Sequence, residues 1–141
     1  MPMLFVALRS LAVLLVGAVA LAGAPDDALA RVEAGLREAD AERVLDGAEA
    51  RVEVMLFGQG GTYRHGQASE VLEDFFRRHP PQRVAFGELA TSDDGRAAMG
   101  RYWTLDGAAP LAVRVLHRRD GDAWRLASLR IDRVAFGRAG R

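Results

Sequence analysis

The stretch from Gly61 to Pro81, G-T-Y-R-H-G-Q-A-S-E-V-L-E-D-F-F-R-R-H-P-P, constrains this chain more than any other. Ala68, Val71, Leu72, Phe75, Phe76 and His79 recur at spacings of one, three and four, so a helix here carries them on one broad apolar stripe. Pro80 and Pro81 stop it, because the residue before a proline is pushed out of the α region and proline has no amide hydrogen to give. Such a stripe must be buried against a second layer, and the sequence beyond the prolines provides one. Arg83 to Thr91, Arg96 to Leu105, Leu111 to Arg118 and Ala123 to Val134 alternate as strands do, separated by Ser92-Asp93-Asp94-Gly95, Asp106-Gly107 and Asp120-Gly121, which is turn chemistry.

Ahead of the central helix, Asp26 and Asp27 can cap a helix whose narrow stripe is Leu29, Val32 and Leu36, with Ala28 and Ala39 beside it. Asp40 restarts a short helix through Ala41 to Leu45, which Gly47 ends. This pair reads as a lid. Arg51 to Phe57 alternates with Val52, Val54 and Leu56 on one face and forms the first strand, after which Gly58, Gly60 and Gly61 turn the chain into the central helix. The expected order is helix, helix, strand, helix and four antiparallel strands, an α+β fold.

The last hairpin can be registered by argument. A two-residue turn at Asp120-Gly121 sets His117 opposite Trp124, Val115 opposite Leu126, Val113 opposite Ser128 and Leu111 opposite Arg130. The face carrying Leu111, Val113, Val115, His117, Trp124, Leu126, Ser128 and Arg130 is the more apolar and is expected to meet the helices. The other, with Ala112, Arg114, Leu116, Arg118, Arg125, Ala127, Leu129 and Ile131, mixes small, apolar and arginine side chains and suits a partner's sheet as well as water.

The 141 residues allow one domain and leave no room for a second sizeable core. Met1 to Ala24 has a single charge, Arg9, and an apolar run from Leu11 to Ala22, too short for the ~20 residues of a membrane-spanning helix and typical of a signal-peptide core. Residues 1–24 are therefore expected to be a signal segment, cleaved somewhere between 22 and 30; Ala20-Leu21-Ala22 and Ala28-Leu29-Ala30 are rival sites, since Pro25 is awkward after Ala24. The alternative is an uncleaved anchor lengthened by Met3 to Val6. The domain is expected over 25–136, with 137–141 as a tail. Without cysteine there is neither a lipoprotein anchor nor a disulfide, so packing alone holds the domain. The expected location is periplasmic or secreted, with membrane contact through the signal segment alone. Every one of the 19 basic residues is arginine, which reflects a GC-rich genome more than arginine chemistry. Leaving Arg9 aside, 18 basic and 19 acidic residues nearly balance, and no basic face points to nucleic acid.

The order of elements resembles the nuclear transport factor 2-like superfamily, in which a curved sheet wraps a long helix into a cone. More narrowly, Tyr63, Gln67-Ala68, Val71-Leu72, Phe75-Phe76 and Pro80-Pro81, followed by four strands ending S-L-R-I-D, resemble a family of small exported bacterial proteins catalogued as a domain of unknown function. The resemblance spans Asp26 to Val134 and implies the cone and a homodimer through the outer sheet, but no activity. Arg64 stands where the family places a small hydroxyl residue, so Thr62 or the Gln67 amide is expected to cap the helix instead.

Superfamily enzymes of the ketosteroid isomerase and polyketide cyclase kind imply an acid or base inside the cone, sometimes with a tyrosine for an oxyanion. Glu73, Asp74, Asp93, Asp94, Asp106, Asp120 and Asp122 fall on helix faces or turns where water solvates them. Glu88 shares a face with Val84 and Phe86 if those point inward. His117 shares the inward face with Trp124, yet a packed structural histidine explains it as well as a general base does. His65 and His79 flank the helix as a loop residue and a helix-end partner. The residues put forward for ligand contact are Tyr63, Tyr102, His117, Trp124 and Arg130, the aromatics having core packing as their plainer role. On the apolar face, the Arg130 guanidinium would need an anion or a carboxylate such as Glu88. No catalytic residue is assigned, and the scattered histidines and missing phosphate or dinucleotide motifs give no metal or cofactor. The expectation is an exported non-catalytic module that binds a small ligand or a protein; the alternative is a cofactor-free isomerase- or cyclase-like enzyme using His117 or Glu88 with Tyr63 or Tyr102.

Overall fold

The computed structural model describes residues 25–134. The expected signal segment, with the cleavage site at Ala20-Leu21-Ala22, and the expected tail lie outside the described residues, whereas Ala28-Leu29-Ala30 falls within the first helix. The elements are α1 (Pro25–Glu38), α2 (Ala41–Leu45), β1 (Ala48–Leu56), β2 (Gln59–Arg64), α3 (His65–Arg78), β3 (Pro81–Thr91), β4 (Gly95–Thr104), β5 (Leu111–Asp120) and β6 (Ala123–Arg133). The six strands form one curved sheet in the order β2-β1-β6-β5-β4-β3. All neighbours are antiparallel except β1 and β6, which run parallel.

The α3 stripe meets this sheet as its spacing requires, with Ala68, Leu72, Phe75 and Phe76 buried and Val71 packed at their edge. Phe75 is the hub, its ring centroid 5.3 Å from Tyr102, 5.8 Å from Phe76 and 5.1 Å from His79. Rather than forming a lid, α1 and α2 enter the same core through Val32, Leu36, Ala41, Val44 and Leu45. Gly35 makes this possible, since a Cβ there would lie 2.6 Å from the Val44 amide nitrogen. Asp40 caps α2 as expected, accepting from the Arg43 amide at 3.1 Å.

The helix is shorter than the stretch that encodes it. Gly61 to Arg64 are not a lead-in but part of β2, which pairs with β1 through a two-residue turn at Phe57 and Gly58, both at positive φ (54° and 76°). Gly60 opposite Met55 is obligatory, because a Cβ there would sit 1.9 Å from the Val54 carbonyl oxygen. Arg64 at the N-cap of α3 makes no side-chain cap, and contrary to expectation neither the Thr62 hydroxyl nor the Gln67 amide supplies one. Glu42 on α2 holds the start of α3 instead, accepting from Ser69 Oγ at 2.8 Å and lying 2.7 Å from His65 Nε2.

Two bulges decide which side chains point inward. In the last hairpin Asp120 pairs with Ala123, moving the turn to Gly121-Asp122 and setting His117 opposite Leu126 rather than Trp124. That slip keeps every face. A bulge at Ala127 then places Ser128 opposite Leu116, Leu129 opposite Val115 and Ile131 opposite Val113, reversing the faces of the rest of β6. Leu129 and Ile131 are thereby buried, and Ser128 and Arg130 turn outward, correcting the expected assignment. In β3 the pairing shifts between Phe86 and Glu88, so Glu88 pairs with Met99 on the outer face and does not share the face of Val84.

Phe75→Ala is expected to cost ~3–5 kcal/mol in denaturant unfolding, as large-to-small aromatic changes in a core do, and a loss under ~1 kcal/mol would contradict its central place. Gly60→Ala should destabilise the fold more than Gly66→Ala, where a Cβ meets nothing within 4 Å; parity of the two in thermal unfolding would contradict the tight hairpin.

Candidate functional site

The residues put forward for ligand contact do not converge. Tyr102 on β4 is wholly buried and its hydroxyl donates to the carbonyl of His79, the residue that ends α3. Burial pushes its phenol well above the ordinary range. Its polar atom therefore joins the end of the helix to the sheet. His117 lies near the other end of β5, six positions beyond the Leu111 that pairs with Tyr102, about 20 Å along the strand. Trp124 is half-buried opposite Arg119. Tyr63 on β2, opposite Val52, is half-buried beside Val71 and Arg78 in a groove of about 380 Å³.

Arg130 stands on the opposite side of the sheet, its Nε and Nη2 each 3.1 Å from Glu53 Oε1. Ser128 Oγ donates to the same oxygen at 2.9 Å. The Ser128 hydrogen bond, with Arg130 behind it, holds the Glu53 carboxyl below the usual carboxylate range against the opposing effect of burial.

Side chains fill the space between α3 and the sheet: Leu72, Phe75, Tyr102, Val113, Val115 and Leu129 belong to one buried cluster. Two recesses open elsewhere, and neither is lined by Tyr102, His117 or Trp124. One, about 540 Å³, is a shallow hollow on the outer face of the sheet. The other, about 450 Å³, is a cleft where Phe57, His79, the β4–β5 connection and the end of β6 meet. Among the described residues no group of three or more histidines and carboxylates is placed to hold a metal ion.

Strand registers order the outer face into rows. One runs Met55, Arg130, Arg114, Met99, Glu88; a second Glu53, Ser128, Leu116, Ala97, Ala90; a third Asp132, Ala112, Arg101, Ala85. Arg114 and Leu116 are legible on this face from strand alternation. Glu53, Met99 and Glu88 required the positions of β1 and the β3 bulge. Nothing local in sequence signals the cleft, because Phe57, His79 and Arg133 come from three separate element ends.

His117 is 3% exposed. Burial first, then the fields of Arg96 and Arg31, pushes its pKa from 6.5 down to about 4. The unfolded chain thus takes up a proton on this ring below pH ~6.5 while the folded one does not, so stability falls as the pH drops through that window and levels off below about 4. The interval amounts to about 3 kcal/mol at ~1.36 kcal/mol per tenfold. His117→Phe should flatten the acid limb of a stability–pH profile relative to the wild type; an unchanged slope between pH 6.5 and 4 would contradict a histidine buried neutral.

The fold has close solved counterparts. The model of a domain of unknown function, DUF4783, matches residues 29–132. A DUF4783 protein from Bacteroides uniformis aligns with a TM-score of 0.67 at 14% identity, over 74% of this chain and 94% of that one. One from Bacteroides ovatus gives 0.68 at 14% identity over the same shares. An NTF2-like protein of unknown function from Shewanella baltica gives 0.59 at 11% identity, over 75% of this chain and 87% of that one. No curated protein matches. At these identities the structures carry the fold alone, an α+β arrangement of the nuclear transport factor 2-like and cystatin-like kind, and with its sequence matched over most of its length the chain belongs to the DUF4783 family.

Proposed function

We propose that this protein is an exported, non-catalytic interaction module whose working surface is the outer face of its sheet, and that it associates there with a second copy of itself. The observation that carries this reading is the row Arg130, Arg114, Met99, Glu88. Arg114 and Arg130 face each other across β5 and β6, and like charges directly opposite are unfavourable unless each has an anion. Glu53 takes up Arg130. Arg114 has no ion pair among the described residues, and neither has Glu88 in the same row. A two-fold axis between two such faces lets Arg114 of each copy meet Glu88 of the other, the reciprocity an isologous interface demands.

The surroundings favour the same partner. Met99 is 48% exposed, and Ala85, Ala97, Ala112 and Leu116 allow close approach. Arginine and methionine are enriched at interface centres. The charges are mixed in sign, so the face complements its own kind instead of repelling it. With ~3.3 Å per residue and ~4.8 Å between strands, the four central strands offer about 600 Å² of face, near the ~800 Å² that each partner contributes to a standard interface.

Export rests on the Met1 to Ala24 segment. The small-ligand reading inside the cone is weakened by the packed core, and the acid–base reading by Glu88 standing outside it and by the engaged Tyr102 hydroxyl. In sedimentation equilibrium the wild type should be a dimer. Arg114→Glu or Glu88→Arg alone should raise the dissociation constant at least ~30-fold, equivalent to ~2 kcal/mol, with thermal unfolding little changed. The double exchange of both charges should restore much of the affinity. A monomeric wild type at ~100 μM, or single variants that stay as dimeric as the wild type, would overturn the reading.

A further inference from the structure

We infer that the cleft between Phe57, His79, Pro110 and Arg133 is a binding site for a small amphipathic carboxylate, with Arg133 receiving the carboxylate and the apolar walls receiving the body of the molecule. This site is independent of the outer face and lies at the end of the sheet away from His117. Its volume, about 450 Å³, is that of a small-molecule site.

Each wall has a reason to be rigid. Phe57 is fixed by the β1–β2 turn and by its amide, which donates to the Ile131 carbonyl at 2.9 Å. The His79 ring packs 5.2 Å from Phe57 and 5.1 Å from Phe75, and its own carbonyl is held by Tyr102. Across the cleft, Asp106 Oδ1 accepts from Thr104 Oγ1 and, at 2.9 Å, from the Ala108 amide. Those hydrogen bonds, Thr104 first, hold its carboxyl below the usual range and fix the β4–β5 connection that brings Ala109 and Pro110 to the cleft. The walls are thus braced before any ligand arrives, which lowers the ordering cost of binding.

Arg133 supplies the charge. Its guanidinium lies 5.0 Å above the Phe57 ring, and it makes no ion pair among the described residues. A guanidinium laid on an aromatic face keeps its edge donors for a planar oxyanion, which it meets through two parallel hydrogen bonds. Leu111, Pro110 and Phe57 offer apolar surface around that cation. A cation on an apolar wall suits an anion with a hydrocarbon or aryl body, and a fully polar anion would leave those walls unmatched. Asp106 also lines the cleft and opposes any anion there, a dianion more than a monoanion, so a ligand with one carboxylate seated at Arg133 is the better match.

The test uses the processed protein with 4-phenylbutanoate as probe, its uncharged amide and its amine analogue as controls, followed by NMR shifts and calorimetry. The carboxylate should bind saturably, shifting Phe57 and His79 resonances, and the amide and amine should bind at least tenfold more weakly. Arg133→Gln should lose at least tenfold in affinity, Arg133→Lys less, and Arg114→Gln nothing. Ala109→Trp, which fills the cleft and leaves the cation in place, should abolish binding. No saturable binding at millimolar probe, amide binding equal to the acid, or binding unaffected by both Arg133→Gln and Ala109→Trp would each overturn the site. Self-association is read separately, so failure of the outer-face proposal leaves this result interpretable.

Discussion

The fold depends on how the end of one helix is held against the sheet. Phe75 and Phe76 bring α3 onto the strands by apolar burial, which is strong but not directional. The Tyr102 hydroxyl adds direction by donating to the carbonyl of His79, where the helix stops and its last acceptors lack intrahelical partners. Nearby, the Leu105 amide donates to the Pro80 carbonyl at 3.0 Å, so the chain leaving the helix is tied to the end of β4 at two points. Helix, proline stop and β3–β4 hairpin are in this way one unit.

That arrangement explains why the interior offers no obvious chemistry. An active site inside such a cone needs a wet cavity with a titratable group facing it. Here the aromatic and aliphatic side chains close the space, Tyr102 is committed to the backbone, and His117 is kept neutral by burial and by nearby arginines. The polar possibilities are displaced outward, to a sheet face with mixed charge and to a braced cleft at the end of the strands. Both are assembled from residues distant in sequence, so a stable scaffold is their precondition.

Much of the scaffold was legible because its signals are local. The α3 stripe, the Asp40 cap, the proline stop and the four later strands each depend on a few neighbouring residues. The places of the two bulges were not legible, although β6 carries a spacing that plain alternation does not explain. Leu126, Leu129 and Ile131 are spaced three and two, and strict alternation cannot bury all three without one extra residue, whereas Leu89 and Thr91 beyond the β3 bulge are exposed and give no such signal. The β2 strand was hidden because its glycines resemble a turn. They are there because the Val54 carbonyl passes where a Cβ of Gly60 would be.

The sequence by itself determined the α+β class, the central helix and its end at Pro80, every strand segment but β2 and the family resemblance, because periodicity, capping and proline geometry act over a few residues. Tertiary structure alone decided the parallel pairing of β1 with β6, the outward turn of Arg130 and Glu88, the place of α1 and α2 in the core, and the meeting of Phe57, His79 and Arg133. Those outcomes depend on long-range pairing and on which of two faces buries more apolar surface. A one-residue bulge reverses that choice for every side chain beyond it, and no local rule fixes where it falls until the strands are set side by side.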